Sequence, residues 1–155
     1  MRLNNLQKAQ SLALLLPSAL LGGAFAFEYI GGLVPCEMCI WQRWPHGVAI
    51  GLAFVALFSA GTARRWLLAL ALLAIATSGA IGVFHAGVEQ HWWEGLTRCA
   101  TEDLGNGPLL EALWKQPLVR CDAIPWSLFG LSMAAYNGII SLIGAGLGAW
   151  WLQRA

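Results

Sequence analysis

The chain has 155 residues, of which 58% are hydrophobic and only 11% charged, with a net charge of +1. Soluble domains carry about 25% charged residues, so this composition excludes an ordinary soluble enzyme. The near-neutral charge, with no basic stripe, likewise excludes a nucleic-acid partner. A chain of this length is read as a single domain, residues 1–155.

Four apolar runs follow one another, at about 10–27, 45–60, 66–84 and 126–151. A membrane-crossing helix needs about 20 apolar residues, with a range of about 17–25. The second run is short and needs Trp41 and Trp44 to complete its boundary turn. None of the runs carries Asp, Glu, Lys or Arg in its interior, which argues against an ion or proton pump. The predicted fold is an all-α membrane protein, a bundle of four transmembrane helices. Tryptophans recur at the predicted boundaries (Trp66, Trp92, Trp93, Trp126, Trp150 and Trp151), where an indole has an apolar ring in lipid and an N–H near water. Gly144 and Gly148 form a GxxxG pattern in the fourth run, a signal for close helix packing.

The basic residues give an orientation. Arg2 and Lys8 precede the first run, Arg64 and Arg65 fill the second link, and Arg154 follows the last run, with no acid among them. All acidic residues lie in the other two connections, about 28–44 and 85–125. The positive-inside rule then places both termini in the cytoplasm and these two loops on the outer side. Residues 1–26 share some features with a signal peptide, including Ala24-Phe25-Ala26, but the apolar run exceeds the usual length of about 7–15. In the second outer loop, Leu109, Leu110, Leu113 and Trp114 recur at helical spacing after Pro108, predicting a short amphipathic helix lying on the membrane surface.

All four cysteines fall in the outer loops, Cys36 and Cys39 in the first, Cys99 and Cys121 in the second. An oxidising exterior favours disulfides, and four cysteines allow three pairings, which spacing leaves open. Cys36-Glu37-Met38-Cys39 is a CxxC, and Pro35 before it suits a helix start. Helix N-terminal N–H groups favour a thiolate there. Arg43 lies one turn beyond Cys39 on the same face, placed to stabilise a thiolate or to hold an oxygen of a bound acceptor. Glu37, inside the CxxC, opposes thiolate formation to a degree. Zinc is disfavoured, because Cys99 and Cys121 are too far apart for a compact ligand pair, and no metal is expected. Haem attachment is excluded by Ile40, which stands where a histidine is needed. His46 and His91 read as surface residues. On the residues alone, a redox relay and a pair of structural staples both remain open.

The stretch Pro35-Cys36-Glu37-Met38-Cys39-Ile40-Trp41-Gln42-Arg43 resembles the PCxxCIxQR block of the disulfide bond formation protein B (DsbB) family. Cys121-Asp122, Trp126, Phe129-Gly130-Leu131-Ser132-Met133 and Tyr136-Asn137 resemble that family's second-loop exit and fourth span. The resemblance implies a thiol oxidase of the bacterial inner membrane, with its active loops in the periplasm. It implies that Cys36 and Cys39 are reoxidised by membrane quinone, ubiquinone or menaquinone, with Cys39 facing the ring and Arg43 beside it. Cys99 would be attacked by a periplasmic thioredoxin-fold partner of the DsbA type, and Cys121 would resolve it and exchange with Cys36. His85 falls where the family has a histidine linked to quinone use, and an imidazole there suits proton transfer. Direction rests on the resemblance alone, since the same scaffold run backwards is a reductase.

Overall fold

The computed structural model describes residues 3–96 and 120–155. Cys99 and the expected amphipathic helix after Pro108 lie outside the described residues. Four helices make up the described part: α1 (Asn5–Tyr29), α2 (Glu37–Leu57), α3 (Gly61–Glu89) and α4 (Met133–Gln153). A two-stranded hairpin, β1 (Ser127–Leu128) and β2 (Leu131–Ser132), leads into α4. The chain is therefore all-helical in its framework, and α1, α3 and α4 are each long and apolar enough to cross a membrane.

α1 and α3 outrun at both ends the apolar runs that signalled them, and α2 outruns its run at the start. The apolar segment ends where the side chains turn polar, but the backbone keeps its hydrogen bonds for a further turn. For α1 the start is set by Asn4, whose side chain caps the N–H of Gln7 while Gln7 bonds back to the Asn4 N–H. The largest difference is in α2, which starts at Glu37 and runs straight through Pro45. The connection between α1 and α2 is correspondingly short, and Cys39 and Arg43 belong to a helix that Cys36 caps. At the other boundary, Trp126 and the hairpin precede α4 instead of forming part of it. Phe129 and Gly130 both have positive φ, 50° and 79°. That is the two-residue turn whose twist suits a tight hairpin.

The helices pack in a ring, α3 between α2 and α4, and α1 closing against α2 and α4. The buried stripe of α2 runs Met38, Gln42, His46, Ala49, Ala53, Ala56, a spacing of three and four that keeps one face inward. Small residues line the α4 stripe: Ala134, Gly138, Ser141, Gly144, Ala145 and Gly148. Gly144 is filled by Leu16 of α1 and Gly148 by Leu72 of α3, so the GxxxG pattern packs within the chain. One apolar cluster, including Ala49, Ala53, Leu68, Leu72 and Ile75, fills the end nearer the chain termini. The Asn5 side chain reaches the Arg154 carbonyl at 3.1 Å, and Arg64 bonds Gln10 at 3.2 Å, bringing the basic residues to that end. At the opposite end a smaller cluster holds Cys36, Met38, Val88 and Cys121.

Candidate functional site

Cys36 is the N-cap of α2, and its sulfur accepts the N–H of Cys39 at 3.3 Å. The CxxC spacing puts the two residues one turn apart, so their thiol sulfurs meet at 3.0 Å. That hydrogen bond to Cys39, together with burial, holds the Cys36 thiol well above its usual range. Glu37, between them, points to solvent.

From α3, the buried His85 reaches across to the same point. Its Nε2 lies 3.6 Å from the Cys36 sulfur and 3.2 Å from the backbone carbonyl of Cys121. Its Nδ1 is 2.8 Å from the side-chain nitrogen of Gln42. Cys121 is fully buried against Cys36. Beside it the Arg120 guanidinium chelates Asp122, which holds that carboxyl below the usual carboxylate range. Three of the four sequence-predicted cysteines, and His85, thus converge on one buried spot. The donor atoms of Cys36, Cys39 and His85 all lie within 4.8 Å of one another. Both ring nitrogens of His85 have hydrogen-bond partners within the protein.

Arg43 sits one turn past Cys39. It pairs with Glu28 at the end of α1, and its guanidinium stacks 5.1 Å above the Phe25 ring. Beside these residues opens a cavity of about 560 Å³ between α1, α2 and α4. Its walls are mainly apolar, with Gly23 and Phe27 on one side and Met133 on another. Cys36, Cys39, Gln42, Arg43 and His85 supply reactive and polar groups along one wall. Such a space, apolar with a few convergent polar groups, suits a mostly apolar ligand.

Several residues of this end were not singled out from sequence. His46, expected at the surface, is buried: its Nε2 bonds Asn137 at 2.8 Å and Ser78 at 2.9 Å. It lies four residues after Gln42 on the inward face of α2, and that spacing was the missed signal. Glu28 escaped notice because nothing in the sequence joins it to Arg43. Glu89, at the end of α3, is buried and accepts a hydrogen bond from Ser132, the N-cap of α4. His91 is exposed, as expected. Trp93 does more than mark a boundary. It folds back to stack on Phe84 and donates its indole N–H to the Phe84 carbonyl at 2.9 Å.

The sequence profile of the family described as Disulfide bond formation protein DsbB matches residues 7–151. The chain is 35% identical over 134 residues to disulfide bond formation protein B of Verminephrobacter eiseniae, covering 77% of this chain and 70% of that one. It is 34% identical over 156 residues to the protein of the same name from Methylococcus capsulatus, covering 90% of this chain and 91% of that one. No solved structure matches it. Carrying three helices able to cross a bilayer, the chain is a membrane protein and belongs to the DsbB family of disulfide bond formation proteins.

Proposed function

We propose that this chain is a protein-dithiol:quinone oxidoreductase of the bacterial inner membrane. In this reading it reoxidises a periplasmic DsbA-like thioredoxin-fold protein and delivers the electrons to ubiquinone or menaquinone. The observation that carries it is the reactive pair, Cys36 and Cys39, on the wall of an apolar cavity with Arg43 beside them. The residues present suit a quinone: apolar walls for the ring and tail, and the Arg43 guanidinium beside Cys39 for one of its oxygens.

The relay starts when a thiolate of the reduced partner attacks Cys99 in a Cys99–Cys121 disulfide, and Cys121 leaves with the electron pair. The partner's second thiol then resolves the mixed disulfide, releasing the partner oxidised and Cys99 reduced. The Cys121 thiolate attacks Cys36 in a Cys36–Cys39 disulfide, and Cys39 departs as a thiolate beside the cavity. Leaving is favoured where the departing thiolate is stabilised. Cys39 has the first-turn N–H groups of α2 and the guanidinium of Arg43 near it. Bound quinone supplies the sink, taking two electrons and two protons. The Cys99 thiolate then attacks Cys121, re-forming Cys99–Cys121 and breaking Cys121–Cys36, and the freed Cys36 and Cys39 thiolates close their disulfide as they give up two electrons, which restores the starting state. Arg43 and the cavity walls hold the acceptor next to Cys39, and His85 stands beside Cys36 in the same pocket.

Purified protein in lipid nanodiscs, given a soluble quinone and a reduced thioredoxin-fold dithiol, is expected to bleach the quinone absorbance. Cys39→Ser is expected to reduce that rate to background. A wild-type protein that leaves the quinone untouched, or a Cys39→Ser variant that turns over normally, sinks the reading.

A further inference from the structure

Below the cysteines a buried chain of side chains joins α2, α3 and α4, and its hydrogen-bond directions can be worked out. The Asn137 amide nitrogen lies 3.2 Å from the Ser78 backbone carbonyl, which only accepts, so that end of the amide is NH2. The same nitrogen donates to the Gln42 side-chain oxygen at 2.8 Å. Independently, the Gln42 side-chain nitrogen lies 3.2 Å from the Met38 backbone carbonyl, which again must accept. Two carbonyls thus fix both amides in one sense. The Gln42 NH2 therefore faces Nδ1 of His85 at 2.8 Å, and Nδ1 must be the bare, accepting nitrogen.

This settles the imidazole. A proton on Nδ1 would set two donors against each other, which excludes both the Nδ1–H tautomer and the imidazolium. His85 is neutral and carries its proton on Nε2. That N–H has three neighbours: the Cys121 carbonyl at 3.2 Å, the Cys36 sulfur at 3.6 Å and the Glu89 carboxyl at 3.9 Å. Only the first two lie within hydrogen-bonding reach, the sulfur because its atomic radius is larger. The N–H therefore ties the backbone of Cys121 to the side of Cys36.

We propose that Gln42 is a positioning residue whose amide locks His85 as the Nε2–H tautomer, and that this N–H pins Cys121 beside Cys36. The inference rests on the relay reading above and deepens it. The lock selects which sulfur of the CxxC receives Cys121. In the exchange, the Cys121–Cys36 bond forms, the Cys36–Cys39 bond breaks, and the electron pair passes from Cys121 sulfur to Cys39 sulfur. His85 acts in this step as a donor and takes no proton.

The test uses the full chain carrying Cys39→Ser and Cys99→Ser, leaving Cys36 and Cys121 as its cysteines. Equilibration with mixtures of reduced and oxidised glutathione reads the Cys36–Cys121 equilibrium. Each protein disulfide formed converts one oxidised glutathione to two reduced ones. Adding Gln42→Leu is expected to lower that equilibrium constant about tenfold, the usual worth of one buried hydrogen bond. His85→Leu should do the same, and His85→Gln, whose amide restores a donor, should recover part of the loss. Nitrogen-15 histidine spectra of the wild-type chain should show His85 with a protonated Nε2 and a bare Nδ1. A protonated Nδ1, or an equilibrium unmoved by Gln42→Leu, overturns the proposal. The spectrum needs no variant, so a misfolded Gln42→Leu chain still leaves a decision. Neither measurement involves quinone or partner protein, so a wild-type chain inactive toward quinone would end the relay reading without touching this result.

Discussion

Arg43 meets the cavity with its charge already partly spent. Glu28 pairs with it and Phe25 lies beneath its guanidinium, and both groups of the pair are mostly shielded from solvent. The pairing fixes the direction of the guanidinium, which matters more for holding an oxygen than bare charge does. Replacing Arg43 by Met keeps the apolar stem and removes the fork of donors. Quinone reduction by Arg43→Met should fall by about 10- to 100-fold, the range for a hydrogen bond to a charged group. Exchange between Cys36 and Cys121 should stay near the wild-type level. Steady-state rates at several quinone concentrations check this; equal losses in both steps would place Arg43 elsewhere in the cycle. At this scale, the sequence was informative where spacing along one helix decides contact: Cys36, Cys39 and Arg43 share a face because α2 is a helix. It was silent where contact crosses helices, as between Glu28 and Arg43, or between Gln42 and His85. His46 was read as a surface residue because it matches no position of the family's motifs, whereas its period with Gln42 pointed inward.

Among the elements, α3 and α4 approach most intimately where both backbones are bare. A Cβ on Gly82 would lie 2.9 Å from the Ala134 carbonyl oxygen and 2.9 Å from the Gly138 nitrogen. Backbone atoms cannot swing aside as a side chain can, so the helices themselves must part. This close approach is what brings Asn137 to Ser78 and allows the buried hydrogen-bond chain to form. Gly82→Ala is therefore expected to cost about 1–3 kcal/mol, the usual penalty for overpacking. Gly22, with nothing near its would-be Cβ, serves as the control. Gly22→Ala should be neutral or slightly stabilising, since alanine is the better helix former by up to about 1 kcal/mol. Thermal melts in detergent compare the two, and equal losses would mean that the seam tolerates a methyl group. The GxxxG of α4 announced a packing face, yet Gly82 and Gly138, in no such pair, sit where the backbones touch. Periodicity reveals that a face is small; it does not say which neighbour covers it. The helix ends were harder to place, because hydropathy reports what the side chains prefer and capping decides where the backbone stops. The Asn4 cap and the run of α2 through Pro45 both follow the second rule.

For the molecule as a whole, α2 decides the topology. Its first half carries Glu37, Gln42, Arg43 and His46, so hydropathy alone does not pick it out beside α1, α3 and α4. Yet 21 residues of helix rise about 31 Å, enough for a hydrocarbon core of about 30 Å. Its polar residues are also matched by protein: Gln42 and His46 bond α3 and α4, and Arg43 is held by Glu28 of α1. A bilayer tolerates polar side chains that are satisfied inside a bundle. Lipid would meet the other face, where Trp44, Val48 and Val55 are exposed. If α2 crosses, its two ends lie on opposite sides of the membrane, with the basic link at Arg64 and Arg65 in the cytoplasm. In a chain whose cysteines are all replaced by serine, Val34→Cys should react with an impermeant maleimide added outside intact cells. Ser59→Cys, just past the end of α2, should react only after the membrane is opened. Labelling of both from outside would mean that α2 turns back within the membrane, and the four-span arrangement would fall. The partition of charge along the chain anticipates the first outcome. The acids Glu28, Glu37 and Glu89 gather at the cysteine end, while Arg64 and Arg154 gather with the termini at the other. If the labelling comes out that way, the same separation would orient the reactive thiols toward the oxidising side, where a disulfide persists.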